Sequence, residues 1–195
     1  MIQLRLRPLL AARPRSAALT GLVLAAALVR ELAGGNDALS ANVLFALILG
    51  LVLVLEPPGV IAGIRPLGLA PSIGLGLLAG ALLAIPVMFS GVFSARPMAA
   101  FGPWATATLM VAALEEAAIR GAVQQLWTEE RGVVAGLAAG AITFAAIHIP
   151  HYGLAAMPID LAVGVLLGGL RLVTGRILPC VIAHTLADWG AWFQP

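Results

Sequence analysis

Glu115, Glu116, Arg120, His148, His184 and Asp188 each interrupt an otherwise apolar stretch in the second half of the sequence. An ionisable side chain at the centre of a membrane helix costs about 2.5 to 3.5 kcal/mol, so the four charged members cost on the order of 10 kcal/mol if unpaired. That cost, with the clustering of all six in one half of the chain, argues for a single shared polar site. Glu116 and Arg120 stand four residues apart and share a helix face, so this pair can satisfy itself; Glu115 points about 100° away and is left to face other elements, with His148 and His184 as its available partners. A buried carboxylate beside an imidazole can serve as a general base for water, which is what hydrolytic chemistry requires. His184 and Asp188 are also four apart, and together they can ligate a metal ion, hydrogen-bond a developing oxyanion, or use the carboxylate to hold the imidazole in one tautomer.

The elements that must position these groups follow from composition. The chain has 195 residues, of which 61% are hydrophobic and 10% charged, and its mean hydropathy is +1.03. A soluble domain is about half apolar and about a quarter charged, so this composition predicts an all-α, polytopic transmembrane helical bundle. At about 20 residues per span, six or seven spans take roughly 120 to 140 residues and leave only connectors. The net charge of +2 is too small to suggest a nucleic-acid partner, and the single cysteine, Cys180, builds neither an intrachain disulfide nor a cysteine-based zinc site. Apolar runs predict spans over 17–29, 38–55, 72–95 (with Pro86 inside), 103–127, 132–149, 157–173 and 177–193. Seven spans is the expectation, with six to eight as bounds. Residues 1–195 then read as one integral membrane domain: a basic cytoplasmic N-terminus over 1–16, three plain apolar spans within 17–95, and four spans within 103–193 that carry the polar residues. The first run also has the layout of a signal peptide, but Arg30 and Glu31 stand where a cleavage site needs small residues, so an anchor is preferred.

All 11 basic residues are arginine. With the N-terminus inside, Arg5, Arg7, Arg13, Arg15, Arg65, Arg131, Arg171 and Arg176 fall on the cytoplasmic side and only Arg30 and Arg96 outside, as the positive-inside rule asks. His148 is then toward the outer end of its span and Glu115 nearer the bilayer centre. Helix ends are expected at Gly34-Gly35, Pro57-Pro58-Gly59, Pro66, Pro97, Gly132, Pro150, Pro158, Gly175 and Pro179. Gly132, Gly136 and Gly140, and Gly164 and Gly168, recur every four residues and predict close helix approach. Trp104, Trp127, Trp189 and Trp192 lie near span ends as interfacial anchors, His151 and Tyr152 read as interface residues, and Asp160 and Cys180 as bland.

Glu115-Glu116-Ala-Ala-Ile-Arg120 resembles an EExxxR motif, Phe144-Ala-Ala-Ile-His148 an FxxxH motif, and His184-Thr-Leu-Ala-Asp188 an HxxxN/D motif, in that order, with Thr174-Gly175 ahead of the last. Over Leu109 to Trp189 the sequence thereby resembles the CAAX prenyl protease 2-like, or CPBP, family of glutamic-type intramembrane endopeptidases. The resemblance implies that Glu115 and His148 activate the attacking water, that His184 with the residue at 188 stabilises the oxyanion, and that Glu116 and Arg120 support the site. It implies no obligatory cofactor; in an older metalloprotease view of the family a zinc ion would sit on Glu115, His148 and His184. The partners it implies are a membrane-associated protein or peptide substrate, cleaved near its C-terminus at a CAAX end or sorting tail, and the lipid bilayer, here of a bacterial inner membrane. Ile119 departs from an aromatic often found before the arginine. Asp188 departs from a common asparagine, and an ionised Asp188 would repel an oxyanion unless it is protonated, orients His184 or binds a metal. Two rivals remain: a proton- or ion-coupled transporter, disfavoured by small size and the lack of similar halves, and a non-enzymatic immunity-type membrane protein.

Overall fold

The computed structural model describes residues 15–34, 39–90 and 100–193. Arg5, Arg7, Arg13 and Arg96, which enter the orientation argument, lie outside them. Every regular element among the described residues is helical, as long runs of Ala, Leu and Val require where lipid offers the backbone no hydrogen bonds. Helix α1 spans Arg15–Leu32, α2 Leu39–Leu55 and α3 Leu69–Ser90. Helix α4 (Phe101–Glu116) passes through a π-helical stretch, Ala117–Val123, into α5 (Gln124–Arg131). Helix α6 (Val133–Tyr152), a 3-10 turn (Leu154–Ala156), α7 (Met157–Thr174) and α8 (Leu178–Ala191) complete the described fold.

Three stretches, Leu69–Phe89, Val133–Tyr152 and Leu154–Thr174, are long and apolar enough to cross a membrane, and Ser40–Leu55 is apolar but shorter. The outward surface is apolar too: Leu77, Leu78, Leu82, Ile85 and Phe89 of α3 all stand exposed. With polar groups inside and leucine outside, the solvent this bundle is built for is lipid, and the chain is an integral membrane protein.

Helix boundaries depart from expectation in two places. Pro150 does not end α6, which runs on to Tyr152 and stops at Gly153 with φ 75°. A proline this near a C-terminus removes only one intrahelical donor, whereas Gly153 takes a positive φ with extended ψ, through which the helix cannot continue. The long helix containing Glu115 continues beyond Trp127, the expected end of its span, to Arg131 and stops at Gly132, an expected helix end, whose φ of 93° makes it a turn residue rather than the first member of a packing stripe.

The remaining small residues do set helix separations. A Cβ at Gly164 of α7 would lie 2.8 Å from Ala141 Cα of α6, and one at Gly136 would meet Thr128 of α5. An approach not anticipated from sequence joins α3 to α8: Cβ atoms at Gly76 and Gly80 would fall 2.9 Å from Pro179 Cα and 3.1 Å from Ala183 Cα. That contact fixes α8, and with it His184. Gly164→Ala is therefore expected to destabilise the bundle by about 1–3 kcal/mol through overpacking, whereas Gly169→Ala on the same helix, with open space around its Cβ, is neutral. Thermal unfolding of both variants in detergent checks the contrast, and equal melting temperatures would contradict it.

Candidate active site

The local backbone brings the polar residues together by three devices. The first is the π-helical stretch, where Gln124 N–H bonds the carbonyl of Ile119 five residues back. Gly121 sits within it, facing Pro58 and Ile177 so closely that a Cβ would lie 2.7 Å from Pro58 Cβ. The second is Thr174-Gly175. Gly175 ends α7 at φ 65°, and the Thr174 hydroxyl accepts from Arg176 N–H at 3.3 Å, so the chain turns sharply into α8. Arg171 locks this turn by donating to the carbonyls of Gly175 and Gly59; it is fully buried, so it is a structural clamp rather than a free cytoplasmic charge. The third is α8 itself, held against α3 and tied to α4 by Trp189 Nε1, which donates to Ala105 O at 3.1 Å and to Thr108 Oγ1 at 3.2 Å.

His184 occupies the centre. Its Nδ1 donates to Glu116 Oε1 at 3.0 Å. Its Nε2 lies 3.8 Å from Glu115 Oε2 and 3.6 Å from Asp188 Oδ1. Three carboxylates from two helices thus surround one imidazole. The Glu116–Arg120 pair forms as the spacing requires, at 3.2 Å, with both side chains wholly buried. Arg120 also lies over the Phe144 ring, 4.6 Å from its centroid, and Nη2 donates to Gly164 O at 3.5 Å. Glu116 Oε1 therefore serves both Arg120 and His184, while its Oε2 finds no protein partner among the described residues.

Glu115 turns away from Glu116 to other elements, but its partners are His184 and Arg30, not His148. Arg30 Nη1 stands 3.5 Å from Glu115 Oε1. No hydrogen bond or ion pair joins Glu115 to His148 among the described residues. His148 Nδ1 lies 2.8 Å from the Phe144 carbonyl on its own helix. A carbonyl only accepts, so Nδ1 carries the proton and the neutral ring keeps its lone pair on Nε2. Phe144 is the hub between the two histidines, with ring centroids 4.7 Å from His148 and 5.2 Å from His184. The cluster opens at one edge: the side chains of Glu115 and His184 are 3% and 5% exposed, that of Asp188 36%.

Four contributors escaped the sequence reading. Arg30 belongs to a helix expected to be plain, and sits where a terminal arginine is ordinary. Gln124 continues the Glu116–Arg120 face and donates to Gly168 O at 3.1 Å, the next glycine carbonyl after Gly164. Asp160 is buried, and its Oδ2 has no hydrogen-bond partner among the described residues. Glu31, beside Arg30, pairs with His151 at 3.5 Å. A polar residue every four positions was the available signal for Gln124; for Arg30 there was none.

Among the described residues no three His, Cys, Asp or Glu side chains form a group that could hold a metal ion. Glu115, His148 and His184 do not form such a group, and Glu115 is paired with Arg30. This donor set does not fit zinc, and no step runs through one.

Residues 97–190 match a family model described as type II CAAX prenyl endopeptidase Rce1-like. Neither the curated proteins nor the solved structures give a match.

Removing one member of the buried ion pair leaves the other charged and desolvated. Glu116→Ala is expected to destabilise the protein by about 3–5 kcal/mol, and the double change Glu116→Ala with Arg120→Ala by clearly less than the sum of the singles. Equilibrium unfolding of the four proteins in detergent measures this; additive losses would contradict the pairing.

Proposed function

We propose that this membrane protein, whose residues 97–190 match the type II CAAX prenyl endopeptidase Rce1-like model, is a glutamic-type intramembrane endopeptidase. It hydrolyses a peptide bond near the C-terminus of a membrane-associated protein or peptide, at a CAAX-type end or a sorting tail. The observation that carries this reading is the convergence of Glu115, Glu116 and Asp188 on His184 inside a bundle whose outer surface is apolar. Buried charge on this scale is expensive, and hydrolysis gives it a use.

Glu115 is the general base. It takes a proton from water as the water oxygen bonds to the carbonyl carbon and the carbonyl π pair moves onto oxygen. Collapse of that adduct breaks the C–N bond, and the proton held on Glu115 passes to the leaving nitrogen, giving a carboxylic acid and an amine. His184, oriented through Nδ1 by Glu116, presents Nε2 to the oxyanion, and Asp188 steadies the same ring from the exposed edge. His148 offers the lone pair of its Nε2 to the attacking water as a hydrogen-bond acceptor. Arg120 neutralises Glu116 and takes no part in bond changes.

Access to the site runs past Asp188, the exposed member of the cluster. Seven helical rods, counting α4 through α5 as one, would each cross the bilayer with the N-terminus in the cytoplasm. Arg30 and Arg171 are committed to internal partners, so the arginine bias that supports this orientation becomes seven to one.

The reading is tested with purified wild-type protein and Glu115→Gln in detergent, each given a farnesylated peptide ending in a free carboxylate and an unlipidated hydrophobic C-terminal tail peptide. Wild type is expected to cleave one of them, and the variant to lose on the order of 10² to 10⁴ in rate, as removal of a general base implies. Cleavage of neither peptide by wild type, or equal cleavage by the variant, would sink the proposal.

A further inference from the structure

Arg30 lies outside the stretch that matches the family and at the far end of α1, yet it reaches the residue to which the base role falls. Its Nη1 is 3.5 Å from Glu115 Oε1. Its guanidinium packs over Phe45, 4.6 Å from the ring centroid, and the side chain is 15% exposed. A charge-assisted hydrogen bond settles at about 2.7–2.9 Å, so this contact is long. The Nε of Arg30 is buried and has no hydrogen-bond partner among the described residues. A guanidinium withdrawn from water, held in place by an aromatic ring and only half paired, has donors to spare at the reacting face.

The charges at that face need it. Arg120 is wholly buried against Glu116, and Glu116 also takes Nδ1 of His184. That leaves Glu115 and Asp188 both facing His184 Nε2. An oxyanion forming beside Glu115 would meet the carboxylate of Asp188 and be repelled. Arg30 is, among the described residues near Glu115, the permanent cation that Glu116 does not already hold.

We propose that Arg30 is a catalytic residue whose guanidinium donates to the oxyanion. The inference rests on the endopeptidase reading and deepens it. As the water oxygen bonds to the carbonyl carbon, its proton passes to Glu115 and the π pair moves to the carbonyl oxygen. Negative charge therefore leaves Glu115 and appears on an atom one water's width away. A cation fixed beside the first position stabilises the second without reorganising, which is the electrostatic requirement for rate. When the pair returns and the C–N bond breaks, the proton goes to the amine and Arg30 faces an ionised Glu115 again.

The test compares wild type, Arg30→Ala, Arg30→Gln and Glu115→Gln on whichever of the two peptides wild type cleaves, with circular dichroism to verify the helical fold. Arg30→Gln keeps a donor for Glu115 and so protects the fold if alanine does not. Both Arg30 variants are expected to lose on the order of 10² in kcat with KM unchanged, as removal of an oxyanion donor does. Added guanidinium ion is expected to restore part of the rate to Arg30→Ala and none to Glu115→Gln. A wild-type kcat in folded Arg30→Gln, or a loss confined to KM, overturns the assignment. If Glu115→Gln is inactive while Arg30→Gln keeps its kcat, only the Arg30 inference falls; if wild type cleaves neither peptide, both readings fall.

Discussion

A carboxylate buried in a helical bundle must be matched by positive charge or donors, and Glu116 is where this protein meets that constraint. One oxygen, Oε1, forms an ion pair with Arg120 at 3.2 Å and accepts from His184 at 3.0 Å. The first contact closes α4 on its own next turn; the second ties α4 to α8. Because neither side chain has any exposure, water cannot substitute if either contact is lost. The ring of His184 is therefore set by the same atom that neutralises Arg120, and Glu115, one residue earlier, is directed to the opposite side of that ring. Stability and site geometry depend on a single shared acceptor.

Around that acceptor the fold is an exercise in bringing backbones close. Gly76 and Gly80 let α8 approach α3, Gly164 lets α7 approach α6, and the carbonyls of Gly164 and Gly168 accept from Arg120 and Gln124. Glycine contributes twice here: the missing Cβ permits the approach, and the exposed carbonyl then offers its second lone pair to a buried donor. The π-helical stretch from Ala117 to Val123 lies in the same region, with Arg120 and Gly121 inside it. A widened turn there fits a helix that must present Glu115 and Glu116 to one set of neighbours and Gln124 to another.

Much of this was legible in the sequence, for a definite reason. In a chain with 10% charged residues, an acid or base inside an apolar run announces itself by its cost, and Glu115, Glu116, Arg120, His184 and Asp188 were all found that way. The i,i+4 pairing of Glu116 with Arg120 followed from helix geometry alone. What sequence spacing could not give was contact between helices. Glu115 meets Arg30 and His184 instead of His148, and nothing local to Arg30 distinguishes it from an arginine that merely ends a span. The glycine stripes were read correctly for Gly136, Gly140, Gly164 and Gly168; Gly132 was read both as a helix end and as a stripe member, and only the first holds, because a turn glycine and a packing glycine look alike until φ is known. The α3–α8 approach went unread because Gly76 and Gly80 carry no charge to mark them.

The central claim is that this bundle delivers water to a peptide bond. Its most direct test is cleavage by the purified protein in water enriched in oxygen-18, followed by mass spectrometry of the fragments. The account predicts one heavy oxygen in the newly formed carboxylate of the N-terminal fragment. Intact peptide, or a cleaved product without the label, would contradict it.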